Sequence, residues 1–145
     1  MRAARYINSF GITSEQIYPY RAQVTQCRGI PPQNKALRGQ IQVSEVAFNL
    51  NTAIGIISRG QWASTYLYCM GQFRFLSSSN DIFDMRNNGE CGKTIDHVVT
   101  VVNVDADTVT VMNSWGTAWG YLGTKRIRPC AADRFWGSMN FLTSV

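Results

Sequence analysis

Two runs of β-branched residues dominate the hydrophobic pattern of this chain, Val98–Val104 and Thr108–Met112, and both fit strands that bury one face. Between them stand Asp105, Ala106 and Asp107, where aspartate side chains can bond their own backbone, so the pair predicts a β-hairpin. Upstream, Ala3–Phe10 reads as the end of a helix, with Gly11 as its left-handed cap. Ile12–Tyr20 leads into a turn at Pro19, and Gly29–Asn34, with two prolines, reads as a loop. Leu37–Val43 alternates as a strand would. Ser44 is placed to cap a short helix through Leu50, and the aliphatic run Thr52–Ser58 predicts a buried strand. Trp62–Cys69 fits a short helix, Gly71–Leu76 a further strand, and Ser77–Asp81 a surface insertion ahead of Ile82 and Phe83.

Composition narrows the class. With 45% hydrophobic and 16% charged residues over 145 positions, the chain has the make-up of a folded domain. No run approaches the ~18 consecutive apolar residues of a membrane-spanning helix, and the start "MRAARYINSF" lacks the apolar core of a secretory signal. Its arginines resemble a mitochondrial leader, but the stretch runs directly into a helix-and-turn pattern. The net charge of +5 comes from 14 scattered Lys and Arg with no basic cluster interleaved with aromatics, so it reads as a solvated surface that bears on solubility and non-specific association and not on fold. No nucleic-acid or membrane partner is expected. Four cysteines point only weakly to an oxidising compartment.

The hairpin carries the candidate chemistry. His97, the single histidine, immediately precedes the first strand and Asn113 immediately follows the second. If the two share a face, the asparagine carbonyl can accept from one ring nitrogen and fix the tautomer, leaving the other nitrogen to take a proton from a nucleophile.

"CGKTIDHVVTVV" followed by "MNSWGTAWG" resembles the histidine and asparagine motifs of the papain-like cysteine peptidases, and "ARYINSFGITSEQIYPYRAQVTQC", Ala4 to Cys27, resembles an upstream stretch of the same family. The resemblance spans nearly the whole chain, with Gln33–Asn88 matching in pattern only. It implies an α+β, papain-like fold: a β-barrel half with a remnant of the helical half, divided into residues 1–32 from the helical domain and 33–145 as the barrel domain. It implies cysteine-type proteolysis of a peptide or protein substrate through an acyl-thioester, without cofactor or metal. His97 would be general base and acid, Asn113 its orienting partner, and Trp115 a shield over their hydrogen bond. Trp115 and Trp119 are equally readable as core aromatics. Asp96 reads either as a specificity contact or as a strand-edge acid, and Ile95 either as a pocket wall or as a core residue.

Further implications concern the cysteines. The family's Gly-Ser-Cys-Trp nucleophile segment and the glutamine ahead of it are not found in this sequence, and Met1 falls after the point where both would stand. The expectation is a chain that is truncated and inactive alone, with a Cys-bearing complementary domain as a partner. The alternatives are a non-catalytic peptide- or protein-binding module, or one chain of a split peptidase. Cys91 and Cys130 match the family's bridge positions and are expected to form a disulfide. Cys27 would be left unpaired, and Cys69 reads as a small buried hydrophobe. Family analogy suggests a lysosomal or secreted location, without a signal peptide in this chain. The sequence departs from the family at Asn103–Asp107 and at Tyr121–Thr124, which places both loops in question.

Overall fold

A computed structural model describes residues 2–21, 23–47, 49–67, 71–77, 79–89, 91, 94, 96–130 and 138–144. Two compact units divide the chain, one of residues 1–43 with 143–145, the other of residues 44–142. Among the described residues no helix is long and apolar enough to cross a membrane.

In the first unit, helix α1 spans Arg2–Phe10 and ends at Gly11, whose φ is +78° and whose amide donates to the Ile7 carbonyl at 2.7 Å. A side chain at Gly11 would meet the Ala36 carbonyl at 2.9 Å, so glycine is required both for the left-handed cap and for the close approach. Ile12 and Ala36 then bridge through two backbone hydrogen bonds of 3.0 and 2.7 Å. The turn expected at Pro19 lies just ahead of it: the Tyr18 amide returns to the Ser14 carbonyl, and the Tyr20 amide bonds the Glu15 carboxylate. Pro32–Asn34 forms one short 3-10 turn within the expected loop.

Most of the sheet lies in the second unit, with residues 41–43 and 143–144 falling in the first. Strands β1 (Ile41–Ala47), β2 (Trp62–Leu67), β3 (Phe83–Asp84), β4 (His97–Val104), β5 (Val109–Met112), β6 (Thr124–Arg128) and β7 (Ser138–Ser144) are ordered β1-β7-β2-β4-β5-β6-β3. Pairings β7/β2, β2/β4, β4/β5 and β5/β6 are antiparallel, and β3 joins β6 in parallel. Helix α2 (Leu50–Ile57) packs on β2 and β4. Val99 and Val101 of β4, Val109 and Val111 of β5, and Ile127 of β6 form the core with Leu50, Ala53 and Ile56 of α2.

Several expected elements differ from those observed. Thr52–Ser58 lies in helix α2 and its final turn, not in a strand, because an aliphatic run this short is compatible with either period. What decides it is Asn49, whose side chain accepts from the Thr52 amide at 2.7 Å, and a buried stripe at positions 50, 53 and 56. The expected Ser44 helix start is instead the middle of β1, which begins at Ile41 after a turn through Leu37, itself at φ +65°. Trp62–Leu67 is strand β2, between β4 and β7, where Ala63 and Thr65 face the core. Cys69 lies outside the described residues. Gln72–Phe75 is a 3-10 turn with Phe73 buried and Phe75 exposed.

The far end of the sheet is fastened twice. Cys91 and Cys130 form a disulfide across a sequence separation of 39, as expected from the family's bridge positions. Asp84 accepts from the Arg86 guanidinium at 2.7 and 3.1 Å and lies 3.5 Å from Arg128. The hydrogen bond from Arg86 is the main reason the Asp84 carboxyl is held well below the usual carboxylate range.

Two stability effects are expected. Reducing the Cys91–Cys130 bond restores the loop entropy of the unfolded chain and should cost about 4 kcal/mol, read as a shift in urea midpoint between oxidised and reduced protein. Asn49→Ala should cost about 1 kcal/mol by the same measurement, whereas Asn49→Asp should retain most of that cap.

Candidate active site

His97 opens β4 and lies half-buried. The hairpin that brings Asn113 to it contains one irregularity: Val104 pairs with Val109 and Asn103 with Thr110, yet Val101 pairs with Val111 and Thr100 with Met112. Val102 is therefore an extra residue, a β-bulge with its side chain partly exposed. Continued one step past Met112, this register sets Asn113 opposite Val99, on the same face as His97. Without the bulge Asn113 would oppose Thr100 and point to the other face.

The geometry that results is specific. His97 Nε2 lies 3.0 Å from Asn113 Oδ1, and the Ser114 backbone N–H donates to the same oxygen at 2.8 Å. Because a backbone N–H only donates, that atom must be the amide oxygen, and the neutral imidazole therefore carries its hydrogen on Nε2. Nδ1 is left with its lone pair. The Asn113 backbone is fixed as well, its N–H donating to the Gly123 carbonyl at 2.9 Å.

Trp115 stacks on the imidazole, with ring centroids 4.7 Å apart and planes 24° from parallel. It stands edge-on to Trp119 at 5.7 Å, and Trp119 is buried with its Nε1–H donating to the Phe73 carbonyl at 3.0 Å. Phe73, fully buried, packs against both indoles and Phe83. The indoles are thus both core aromatics and the backing of the imidazole. Nothing in the sequence marked the Phe73 carbonyl or the Ser114 amide for these parts, since backbone groups carry no side-chain signature. Gly120 (φ +57°) lets the chain turn tightly behind Trp119, where any side chain would collide with the Thr124 carbonyl.

Asp96 is exposed directly before β4, while Ile95 lies outside the described residues. Of the cysteines, Cys91 and Cys130 are joined and Cys27 is an exposed free thiol. Lys125 is a residue the scattered-charge reading missed: it is buried on the inward face of β6, its Nζ donating to the Ser79 carbonyl at 3.0 Å and hydroxyl at 3.2 Å. Burial pushes its pKa down, with Asp81 acting in the opposite sense. Alternation along β6, with Lys125 and Ile127 two apart, was the only available signal. Among the described residues no group of three or more His, Cys, Asp or Glu side chains could hold a metal ion.

An asparagine-held imidazole backed by indoles, on a mostly antiparallel sheet of an α+β fold, defines a class that the comparisons identify. The sequence profile described as "Papain family cysteine protease" matches residues 1–133, and the chain belongs to that family. It is 34% identical over 136 residues to cysteine endopeptidase Rep1 of Oryza sativa subsp. japonica, a match covering 87% of this chain and 34% of that protein. Chymopapain of Carica papaya is 27% identical over 130 residues, covering 86% of this chain and 35% of the relative. The chain thus spans about a third of the length of these relatives. Among solved structures, the Carica candamarcensis cysteine protease CMS1MS2 in complex with E-64 superposes with a TM-score of 0.72 at 29% identity, covering 97% of this chain and 66% of that one. The bromelain protease from Ananas comosus, at 24% identity and TM-score 0.72, supports the fold alone.

The tautomer can be checked directly. Nitrogen-15 NMR of the neutral ring should show His97 as the Nε2–H form, and Asn113→Ala should yield a mixture of tautomers while the fold is kept. A wild-type ring protonated on Nδ1 would contradict the Oδ1 contact.

Proposed function

We propose that this chain supplies the imidazole side of a cysteine-type peptide hydrolysis. The observation that carries the reading is the 3.0 Å contact from His97 Nε2 to Asn113 Oδ1 under the stacked Trp115 ring. With Nε2–H engaged, Nδ1 is the atom available to a thiol. It takes the thiol proton, the thiolate carbon–sulfur bond forms at the peptide carbonyl, and the imidazolium returns the proton to the leaving amine as the C–N bond breaks. A water then gives a proton to Nδ1 and its oxygen to the acyl carbon, the C–S bond breaks, and the imidazolium returns that proton to the departing sulfur. Asn113 holds the ring in one orientation through both steps. Trp115 keeps water from competing for the hydrogen bond, and Asp96 stands beside the site as a candidate substrate contact.

In this reading the thiolate belongs to a Cys-bearing complementary domain, and the chain alone does not turn over. Its sequence has no Gly-Ser-Cys-Trp segment. Residues 1–32 are assigned to the helical domain and 33–145 to the barrel domain. Support for a covering partner comes from the first unit, which leaves Phe10, Tyr20 and Val24 exposed at 55%, 82% and 105%.

The purified chain should give no hydrolysis of fluorogenic dipeptides and no thiol labelling by an epoxide probe. Addition of a separately expressed Cys-bearing domain should restore both, and His97→Ala should abolish that turnover, by analogy with related triads a loss on the order of a millionfold. Labelling of Cys27 or Cys69 in the lone chain that vanishes with His97→Ala would place the nucleophile inside this sequence and overturn the two-part reading.

A further inference from the structure

An open groove of about 610 Å³ is lined by Arg74, Phe75, Leu76, Ala118, Trp119 and Trp115, the ring that stacks on the imidazole. Its floor is rigid, because Trp119 is anchored to the Phe73 carbonyl and Trp115 stands edge-on against Trp119. Its wall is costly to leave in water: Phe75 is 80% exposed and Trp115 37%. Among the described residues its one charged lining residue is Arg74. Among the described residues Arg86, Arg126 and Arg128 all pair with aspartates, whereas Arg74 has no ion pair, and no acidic side chain lines the groove.

We propose that Arg74 and Phe75 make this groove select, in the peptide segment flanking the bond under attack, an apolar residue followed by a carboxylate. The identity of the peptide as substrate rests on the reading of His97 given above, while the binding preference does not. Aromatic walls take an aliphatic or aromatic side chain, and the guanidinium fork, on a short 3-10 turn at the rim, accepts a carboxylate in its plane. Two sources present that group, an Asp or Glu side chain and a free peptide C-terminus. The charge complementarity is with an acidic peptide, since a second copy of this chain brings a net charge of +5 to the same cation.

The test is a titration of the full chain, followed by NMR at the Trp115 and Trp119 indole N–H signals. The probes are four capped dipeptides: Phe-Glu amide, Phe-Ala acid, Phe-Ala amide and Phe-Lys amide. The indole signals should move with peptide, and one or both carboxylate-bearing probes should bind about fivefold tighter than Phe-Ala amide, with Phe-Lys amide weakest. Which of the two is tighter identifies the source. Arg74→Gln, at an exposed position, should erase the preference while leaving Phe-Ala amide binding unchanged, and Phe75→Ala should weaken all four. Neither carboxylate-bearing probe binding tighter than Phe-Ala amide, no shift of the indoles at millimolar peptide, or shifts that follow protein concentration instead would each overturn the proposal. A carboxylate preference in a chain that never supports turnover with a Cys-bearing domain would leave this inference standing and remove the catalytic reading.

Discussion

The bond between His97 and Asn113 depends on one extra residue in β4. Side chains in a strand alternate strictly, so the face on which Asn113 arrives is fixed by the pairing of β4 with β5, and Val102 shifts that pairing by one. The same shift lets valines at 99 and 101 face the core with those at 109 and 111. Core packing and the asparagine contact therefore select the same register. Any hairpin without the bulge would expose part of the core to bring the asparagine round, or bury the core and lose it.

Below that contact the molecule invests in stiffness. The imidazole lies on Trp115, Trp115 on Trp119, and Trp119 on Phe73, whose carbonyl receives the indole N–H. Each buried ring thus has its polar atom satisfied or faces a neighbouring ring, so the stack does not trade hydration for strain. The Asn113 amide is less fortunate: its Nδ2 is buried without a hydrogen-bond partner among the described residues. Such a group costs roughly 1–3 kcal/mol, a burden accepted where the oxygen at its other end has two donors to satisfy. The side chain is held by its oxygen, between the His97 ring and the Ser114 amide.

The groove, the imidazole and the indoles all belong to the second unit, which the sheet and the Cys91–Cys130 bridge hold together. Of the three described cysteines, two are joined to each other and the third is an exposed thiol in the first unit. The chain belongs to the papain family and spans about a third of the length of the relatives it matches.

What the sequence by itself determined was local and rhythmic. The β-branched hairpin, the Gly11 helix cap, and the His97, Asn-Ser-Trp-Gly and bridge-cysteine positions were legible because each depends on residue type or on motif. Tertiary structure decided the rest. Thr52–Ser58 became helix and Trp62–Leu67 strand because runs of seven or so residues satisfy both periods until a cap at Asn49 and neighbours at β4 and β7 choose between them. Strands β6 and β7 carried no expectation at all, and Lys125 looked like any solvated cation until Ser79 closed over it. The bulge at Val102 left no mark on a sequence of consecutive valines, since a register shift is a property of two strands together and neither strand encodes it alone.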